Sequence, residues 1–315
     1  MASRKAARDA YFRQTPKALD LLERVTPANN TTALNYIAKL RKEFAKVEFT
    51  LRTHDINIEF LKKRFESMKA ANGREVNVTM RRQSPIDIRT EHVCEDADHC
   101  QIESVKIDYH VGDCKSVSCS AGGWKVVVGP DCKSSFAARH LPGRFVLEQF
   151  HAHWSESGAC GSEHTLNGKA LSGEVHFVFY NPAYGSFADA LTKDDGIAVI
   201  GVFIKEGAFN DAYEPLVEAI RQSAETNKPV DIPAYFHIRQ LLPPLDQRDF
   251  VTYEGSLTTP PYSEAVIWTV LTTPVEVSAE QLNVFRKIVG SNFRPCQDLC
   301  DRRVRVTRAA AVQHA

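Results

Sequence analysis

Three histidines carry the clearest chemical signal in the sequence. His151 and His153 stand two apart in an alternating segment, 145–154, and alternate residues of a strand point to one face of a sheet. His176 lies in a second alternating segment, 171–180. If the two strands are neighbours, three imidazoles converge and leave the fourth position of a tetrahedral zinc ion open for water, as a catalytic site requires. The alternative is a set of core or surface histidines without a metal, since chance pairs of this spacing are common.

The elements that must position these histidines are strands. After the turn signal at Asn72-Gly73, the pattern becomes short strands and turns. Residues 196–205 form a near-continuous apolar run that is typical of a central strand, and 264–271 form another. Helical patterns are confined to 211–225 and 279–289. This part of the chain therefore predicts a mainly-β domain with a large central sheet.

Residues 1–75 have a different character. Apolar residues recur at steps of three and four from Ile37 to Met68, with His54 in one slot, which predicts a helix with a heptad seam on one face. Residues 1–80 hold sixteen Lys/Arg and nine Asp/Glu, so this segment is basic. Two interpretations stay open: a helix that pairs with a second copy or a partner, making a homo-oligomer, or a helix packed on its own domain.

Composition limits the classes of function. The chain has 315 residues and a formal net charge of +0, so nothing global favours nucleic acid. The sequence contains no run of about 18 apolar residues, so no membrane span is predicted. The start is too charged for a secretory signal, which predicts a cytoplasmic protein, with an Arg- and Ala-rich mitochondrial transit peptide as the alternative.

Eight cysteines allow three interpretations. Reduced, partly buried thiols suit a cytosolic protein of this length. One or two disulfides are the second interpretation, with Cys94 and Cys100 the nearest candidates. The third is a zinc site that includes Cys296 and Cys300, which stand four apart.

Five motifs together resemble the α-class carbonic anhydrases, in the order and near the spacing of that family. They are QSPIDI at 83–88, FHAHW at 150–154, SEHT at 162–165, GEVHFVFYN at 173–181 and YEGSLTTPPYSEAVIW at 253–268. The resemblance covers roughly residues 80–305. It implies a mainly-β fold with peripheral helices around a large, mostly antiparallel ten-stranded sheet, and a zinc ion at the floor of a central cone. The predicted domains are a helical, basic extension at 1–75, the enzyme domain at 76–308 and a tail at 309–315.

The resemblance also assigns roles around the metal. His151, His153 and His176 match the three zinc ligands. Their supporting partners match the side chains of Gln149 and Glu174 and the backbone carbonyl of Asn292. The structural positions behind the site match His164 and Tyr253.

Further matches concern the substrate. Thr258 matches the threonine that accepts a hydrogen bond from zinc-bound hydroxide and donates one to Glu163, and Thr259 matches a contact to bicarbonate or inhibitors. The carbon dioxide pocket matches Val178, Val199, Leu257 and Trp268. The proton-shuttle position falls on Gly122, or on Gly123 with a one-residue slip, and neither side chain carries a proton. Lys125 falls near the rim, either as a partial substitute or as a solvated lysine.

The activity implied is zinc-dependent, reversible hydration of carbon dioxide to bicarbonate and a proton, with sulfonamides and anions as inhibitors and pH regulation as the setting. A second hypothesis is a catalytically silent carbonic anhydrase-related binding or scaffold protein, although such relatives typically lose a ligand histidine. A third hypothesis makes the N-terminal helix the main functional element of an assembly subunit.

Overall fold

The computed structural model describes Ala38 and residues 80–307. The chain divides into two compact units, Met1–Val76 and Asn77–Ala315. The strands and helices described here belong to the second unit. Apart from Ala38, the predicted extension at 1–75 and the tail at 309–315 lie outside the described residues. Their helix, their pairing and the exact domain boundaries stay predictions.

Strands dominate the described residues. They are β1 (Asp87–Ile88), β2 (Val93–Glu95), β3 (Lys106–Asp108), β4 (Cys114–Ser120), β5 (Gly123–Val128), β6 (Ser135–Ala137), β7 (Phe145–Trp154), β8 (Thr165–Leu166), β9 (Gly173–Tyr180), β10 (Ile197–Glu206), β11 (Val230–Asp231), β12 (Phe250–Gly255), β13 (Val266–Val277) and β14 (Val304–Val306). The large sheet runs β11-β4-β5-β7-β9-β10-β13-β12-β14-β2, and the short strands β3 and β6 attach to it beside β7. β1 and β8 pair separately. The predicted mainly-β fold with one large, mostly antiparallel sheet is confirmed. Within the described residues the sheet has twelve strands where ten were predicted, because the short strands β3 and β6 add to the ten of the main path.

Helices lie at the periphery. They are α1 (Phe187–Ala190), α2 (Glu214–Thr226) and α3 (Ala279–Ile288). Ser278 caps α3 in a capping box with Gln281, which satisfies backbone donors at the helix start. α2 ends where Asn227 adopts a left-handed conformation with φ of 53°. Between residues 80 and 307, five short 3-10 helices lie at Thr90–His92, Ile102–Ser104, Pro182–Tyr184, Ile238–Leu241 and Leu245–Gln247.

The middle of the sheet is covered on both faces. The first eight residues of β10 are buried, as the continuous apolar run predicts for a central strand. β10 pairs antiparallel with β9 and parallel with β13. Parallel pairing recurs between β14 and β2, and the remaining pairs of the large sheet are antiparallel.

Strand β9 separates two core clusters. Val175, Phe177 and Phe179 enter the larger cluster, which also contains Phe150. Val178 enters the smaller one, with Val199, Tyr253 and Trp268. Because side chains alternate along a strand, His176 and Glu174 lie on the same side of β9 as Val178. The alternation therefore directs the candidate metal ligand away from the larger core.

Candidate metal centre

The three histidines predicted as ligands come together across one strand pair. His151 and His153 lie on β7, and His176 lies on β9, directly opposite His151 in the antiparallel register. The nitrogens that these rings offer lie within 4.8 Å of one another. His153 and His176 are buried, whereas His151 is half-buried. The site therefore opens toward solvent on the His151 side.

Acceptors hold the outer nitrogens of the two β7 histidines. Nδ1 of His151 lies 2.9 Å from Oε1 of Gln149, and Nδ1 of His153 lies 3.0 Å from the carbonyl oxygen of Asn292. A neutral imidazole has one N–H, so each ring donates from Nδ1 and keeps a lone pair on Nε2. The two Nε2 atoms lie 3.1 Å apart. Two lone pairs at this distance repel unless a cation lies between them.

His176 is oriented the other way round. Its Nε2 lies 2.8 Å from Oε1 of Glu174, so its lone pair is on Nδ1. The arrangement presents two Nε2 atoms and one Nδ1 atom to a common point. Three neutral nitrogens with one position left open match the donor set of a catalytic zinc site, so these residues fit a zinc ion.

Electrostatics keeps the imidazoles neutral. Burial, with the neighbouring His176 ring adding to it, lowers the pKa of His153 to about 3. Burial and the His153 and His176 rings hold the pKa of His151 well below its ordinary value. The pKa of His176 is also lowered by burial, against the opposing effect of Glu174. Neutral imidazole is the form that binds metal, so no proton has to leave at neutral pH.

Glu174 is the most fully hydrogen-bonded group behind the site. Its Oε1 accepts from His176 at 2.8 Å and from Nδ1 of His164 at 2.7 Å. Its Oε2 accepts the backbone N–H groups of Glu163 at 3.0 Å and His164 at 2.8 Å. Burial alone would raise its pKa, but the two imidazoles hold the pKa of Glu174 well below its ordinary value. An ionised, immobile carboxylate therefore orients the His176 ring.

This network continues away from the metal centre. Nε2 of His164 lies 2.6 Å from the Tyr253 hydroxyl, which donates to Oγ of Ser84 at 2.8 Å. Ser84 is fully buried and also accepts the N–H of Ser256 at 3.0 Å. His164, Glu174 and His176 form a second group with metal-ligating atoms, but these atoms hydrogen-bond one another. The second group supports the ligand histidine and leaves no lone pairs for an ion.

Glu163 lies beside two of the candidate ligands, 3.4 Å from Nδ1 of His153, and Thr258 lies near it. Oε1 of Glu163 accepts the backbone N–H of Arg294 at 2.7 Å. Its Oε2 lies 3.8 Å from Nδ1 of His176 and has no hydrogen-bond partner among the described residues. Burial raises the pKa of Glu163 well above its ordinary value, while the nearby Thr258 hydroxyl and the Arg294 N–H lower it. The predicted partners Glu163 and Thr258 are thus neighbours in a buried environment.

The predicted apolar pocket is a row of residues across three strands. Val199 on β10 pairs with Val178 on β9 and with Trp268 on β13, and all three are buried. Leu257 packs against the same cluster and is half-buried. The Trp268 ring meets the His176 ring edge-on, with centroids 4.8 Å apart. Thr259, which follows Thr258 in the chain and was predicted to contact bicarbonate, is exposed.

The predicted proton-shuttle position lies at a turn, where both candidate residues, Gly122 and Gly123, lack a side chain. Gly123 has φ of 118°, and a Cβ there would lie 2.7 Å from Nδ2 of Asn292, so a glycine is required. Gly122 is exposed, and its carbonyl accepts from Nδ2 of Asn292 at 3.0 Å. The same Asn292 holds His153 through its backbone carbonyl. This turn therefore packs against the ligand support while carrying no ionisable group.

Several contributors had weak signals in the sequence. Arg294 holds Glu163 through its backbone and donates from its guanidinium to the Ser84 carbonyl at 2.7 Å. A residue type gives no indication of a hydrogen bond from the backbone N–H, so the sequence did not predict this role of Arg294. Lys125, predicted near the rim, lies on β5 directly opposite His151. Gly201, whose missing side chain leaves room for Oε1 of Glu174, also had no distinguishing sequence pattern.

The cysteines take no part in this centre. All eight are free thiols in the structure, and neither candidate group of metal-ligating residues in the described part of the chain contains a cysteine. Burial raises the pKa of the Cys100 and Cys114 thiols to about 11. The interpretation as reduced thiols agrees with these observations.

None of the helices in the described part of the chain has the length and apolar character that a membrane span needs.

Comparisons with known proteins agree with the geometry. The family model of the eukaryotic-type carbonic anhydrases matches residues 69–308. The chain is 33% identical over 237 residues to carbonic anhydrase 3 of Homo sapiens, an alignment that covers 71% of this chain and 89% of that protein. It is 32% identical over 237 residues to carbonic anhydrase 3 of Rattus norvegicus and of Mus musculus, with the same coverage.

Proposed function

Because the chain belongs to the eukaryotic-type carbonic anhydrase family, we propose that it catalyses the reversible hydration of carbon dioxide to bicarbonate and a proton. The reaction takes place at a zinc ion held by His151, His153 and His176. The single observation that carries this proposal is the convergence of three neutral nitrogens, with the Nε2 atoms of His151 and His153 only 3.1 Å apart. A bound cation removes the repulsion between those lone pairs.

Zinc, when bound, lowers the pKa of a coordinated water to about 7 and so supplies hydroxide near neutral pH; carbonic anhydrase is itself the reference case for this value. The side chains of the protein orient the attacking oxygen. An ionised Glu163 can only accept hydrogen bonds, so the Thr258 hydroxyl donates to it and accepts from the attacking oxygen. Burial favours the protonated form of Glu163 in the metal-free protein. A nearby dication favours the ionised form instead.

The substrate sites follow from polarity. Carbon dioxide is apolar and suits the buried row of Val178, Val199 and Trp268 with the half-buried Leu257 beside it. Bicarbonate is charged and polar, and we assign its contact to the hydroxyl of Thr259, which is exposed. Anions and deprotonated sulfonamides combine a negative charge with polar groups, so we expect both to inhibit.

The alternative is a catalytically silent family member that keeps the fold as a binding or scaffold protein. Loss of a ligand histidine would favour it, but all three histidines and their three supporting groups are in place. The observations therefore favour the enzyme. A cytoplasmic location, a role in pH regulation and a homo-oligomer formed through residues 1–75 stay predictions.

Stopped-flow carbon dioxide hydration, with bound zinc quantified in the same sample, tests the proposal. We expect about one zinc per chain and activity that a sulfonamide abolishes. Thr258→Val should keep the zinc but lose roughly 100-fold in kcat/KM, the scale for one hydrogen-bonding group in a preorganised site. Thr226→Val is the matched control, since Thr226 is exposed on α2. Zinc bound at full occupancy without hydration would favour the silent binding protein.

A further inference from the structure

Strand β7 carries one residue more than its neighbour β9. Leu147 pairs with Phe179 and Gln149 pairs with Val178, so Glu148 has no partner residue on β9. This arrangement is a β-bulge, which redirects side chains and is frequent beside active sites. The residue that the bulge redirects is an acid in the strand that supplies two of the candidate ligands.

The bulge places Glu148 on the metal side of the strand. Leu147 and Phe150 both lie in the larger core cluster. Two residues separate them where strict alternation allows one, so Glu148 and Gln149 both lie outside that core. Gln149 hydrogen-bonds His151 and so faces the metal centre. Glu148 precedes Gln149 on this face, three residues from His151, and is half-buried.

The surroundings of Glu148 leave its carboxylate without a direct partner. Among the described residues it makes no hydrogen bond or ion pair of the kinds found elsewhere in the site. The charge that acts on it comes from β5, where Lys125 lies opposite His151. On β9, the neighbouring Val178 and Phe179 are apolar. Burial raises the pKa of Glu148, and Lys125 only partly offsets this.

We propose that Glu148 takes up the proton released by each hydration and passes it to a buffer base in solution. This inference rests on the proposed function. One O–H bond of water breaks as carbon dioxide becomes bicarbonate, and one O–H bond forms on the Glu148 carboxylate. The acid then transfers that proton to the base, which restores the carboxylate.

Two observations favour Glu148 over its neighbours for this task. Gly122 and Gly123 have no ionisable side chain, and Lys125 as an ammonium has no acceptor. A proton carrier works best when its pKa approaches the operating pH, and burial moves the pKa of Glu148 in that direction. Glu148 and His151 are both half-buried, so the carboxylate is within reach of solvent on the face of β7 that carries the candidate ligands.

Hydration kinetics of the zinc-loaded protein at low and high imidazole concentration provide the test. We expect Glu148→Gln to lower kcat about 100-fold at low buffer, to leave kcat/KM unchanged and to regain kcat at high buffer. Glu148→Asp should recover part of the loss. Glu103→Gln is the matched control, because Glu103 is exposed in a 3-10 helix. Equal kcat in Glu148→Gln and wild type at low buffer, or a loss that imidazole does not restore, would overturn the inference.

A second readout does not need activity. Infrared difference spectra of the metal-free protein across pH should contain a carboxyl band that titrates above the range of ordinary glutamates and disappears in Glu148→Gln but not in Glu103→Gln. A spectrum unchanged by Glu148→Gln would count against the proposal. If the zinc-loaded wild type shows no hydration, the proposed function fails and this inference fails with it. Active wild type with an indifferent Glu148→Gln variant overturns this inference alone.

Discussion

A Cβ atom on Gly201 would lie 2.8 Å from Oε1 of Glu174. Gly201 lies on β10 directly opposite His176 on β9, so the missing side chain makes room for the carboxylate that orients this ligand. A glycine in the interior of a central strand weakens the strand. Its presence here is explained by the space that Glu174 needs.

Replacing that glycine should disturb the metal without touching a ligand. We expect Gly201→Ala to displace Glu174 and weaken zinc binding about tenfold, the scale for groups that orient metal ligands. Gly143→Ala is the control, since a Cβ at Gly143 meets no atom within 4 Å. Competition with a zinc chelator measures both affinities. Equal affinities in the two variants would show that Glu174 is not held where this account requires.

Changing Glu174 itself should have a larger effect. Its carboxylate accepts four hydrogen bonds, whereas an amide brings two donors of its own. We therefore expect Glu174→Gln to reduce zinc affinity by about 10–100-fold and to lower the thermal midpoint of the metal-free protein. Chelator competition and thermal unfolding measure the two effects. A variant with unchanged zinc affinity would contradict the role assigned to this carboxylate.

Metal-free stability should fall in mild acid because of His153. Its folded-state pKa is lowered to about 3. Between this pKa and the ordinary pKa of histidine, His153 is therefore protonated in the unfolded chain but not in the folded chain. The stabilisation is present above the ordinary pKa and is lost as pH falls from about 6.5 toward about 3. Between about pH 7.5 and about pH 5.5, wild type should lose about 1.4 kcal/mol more than His153→Gln. Urea unfolding of chelator-treated protein gives both curves, and parallel curves would refute the assignment.

A histidine at the turn beside the metal should speed proton release. Gly122 is exposed and is not among the glycines with positive φ, unlike Gly123, so its backbone does not require a glycine. We expect Gly122→His to raise kcat in weak buffer and to leave kcat/KM unchanged. The gain should be larger in the Glu148→Gln background, where the native carrier is absent. An unchanged kcat in both backgrounds, with zinc fully bound, would show that proton transfer does not limit turnover.

The sequence predicted the elements whose signals are local. Alternation placed His151, His153 and His176 on strands, and the apolar run at 196–205 marked a central strand. The backbone carbonyl of Asn292 and the pocket residues required a family resemblance, because they meet the histidines only through the folded chain. The Glu148 bulge was not foreseen. It depends on how β7 pairs with β9, which no pattern within either segment reveals.

X-ray absorption at the zinc edge of the purified protein tests the three-histidine centre most directly. We expect three nitrogens at about 2.0–2.1 Å with the multiple-scattering signature of imidazole, and one further light ligand. Loss of one imidazole in His153→Ala, together with much weaker zinc binding, would complete the assignment. Sulfur at about 2.3 Å, or a spectrum unchanged by His153→Ala, would contradict it.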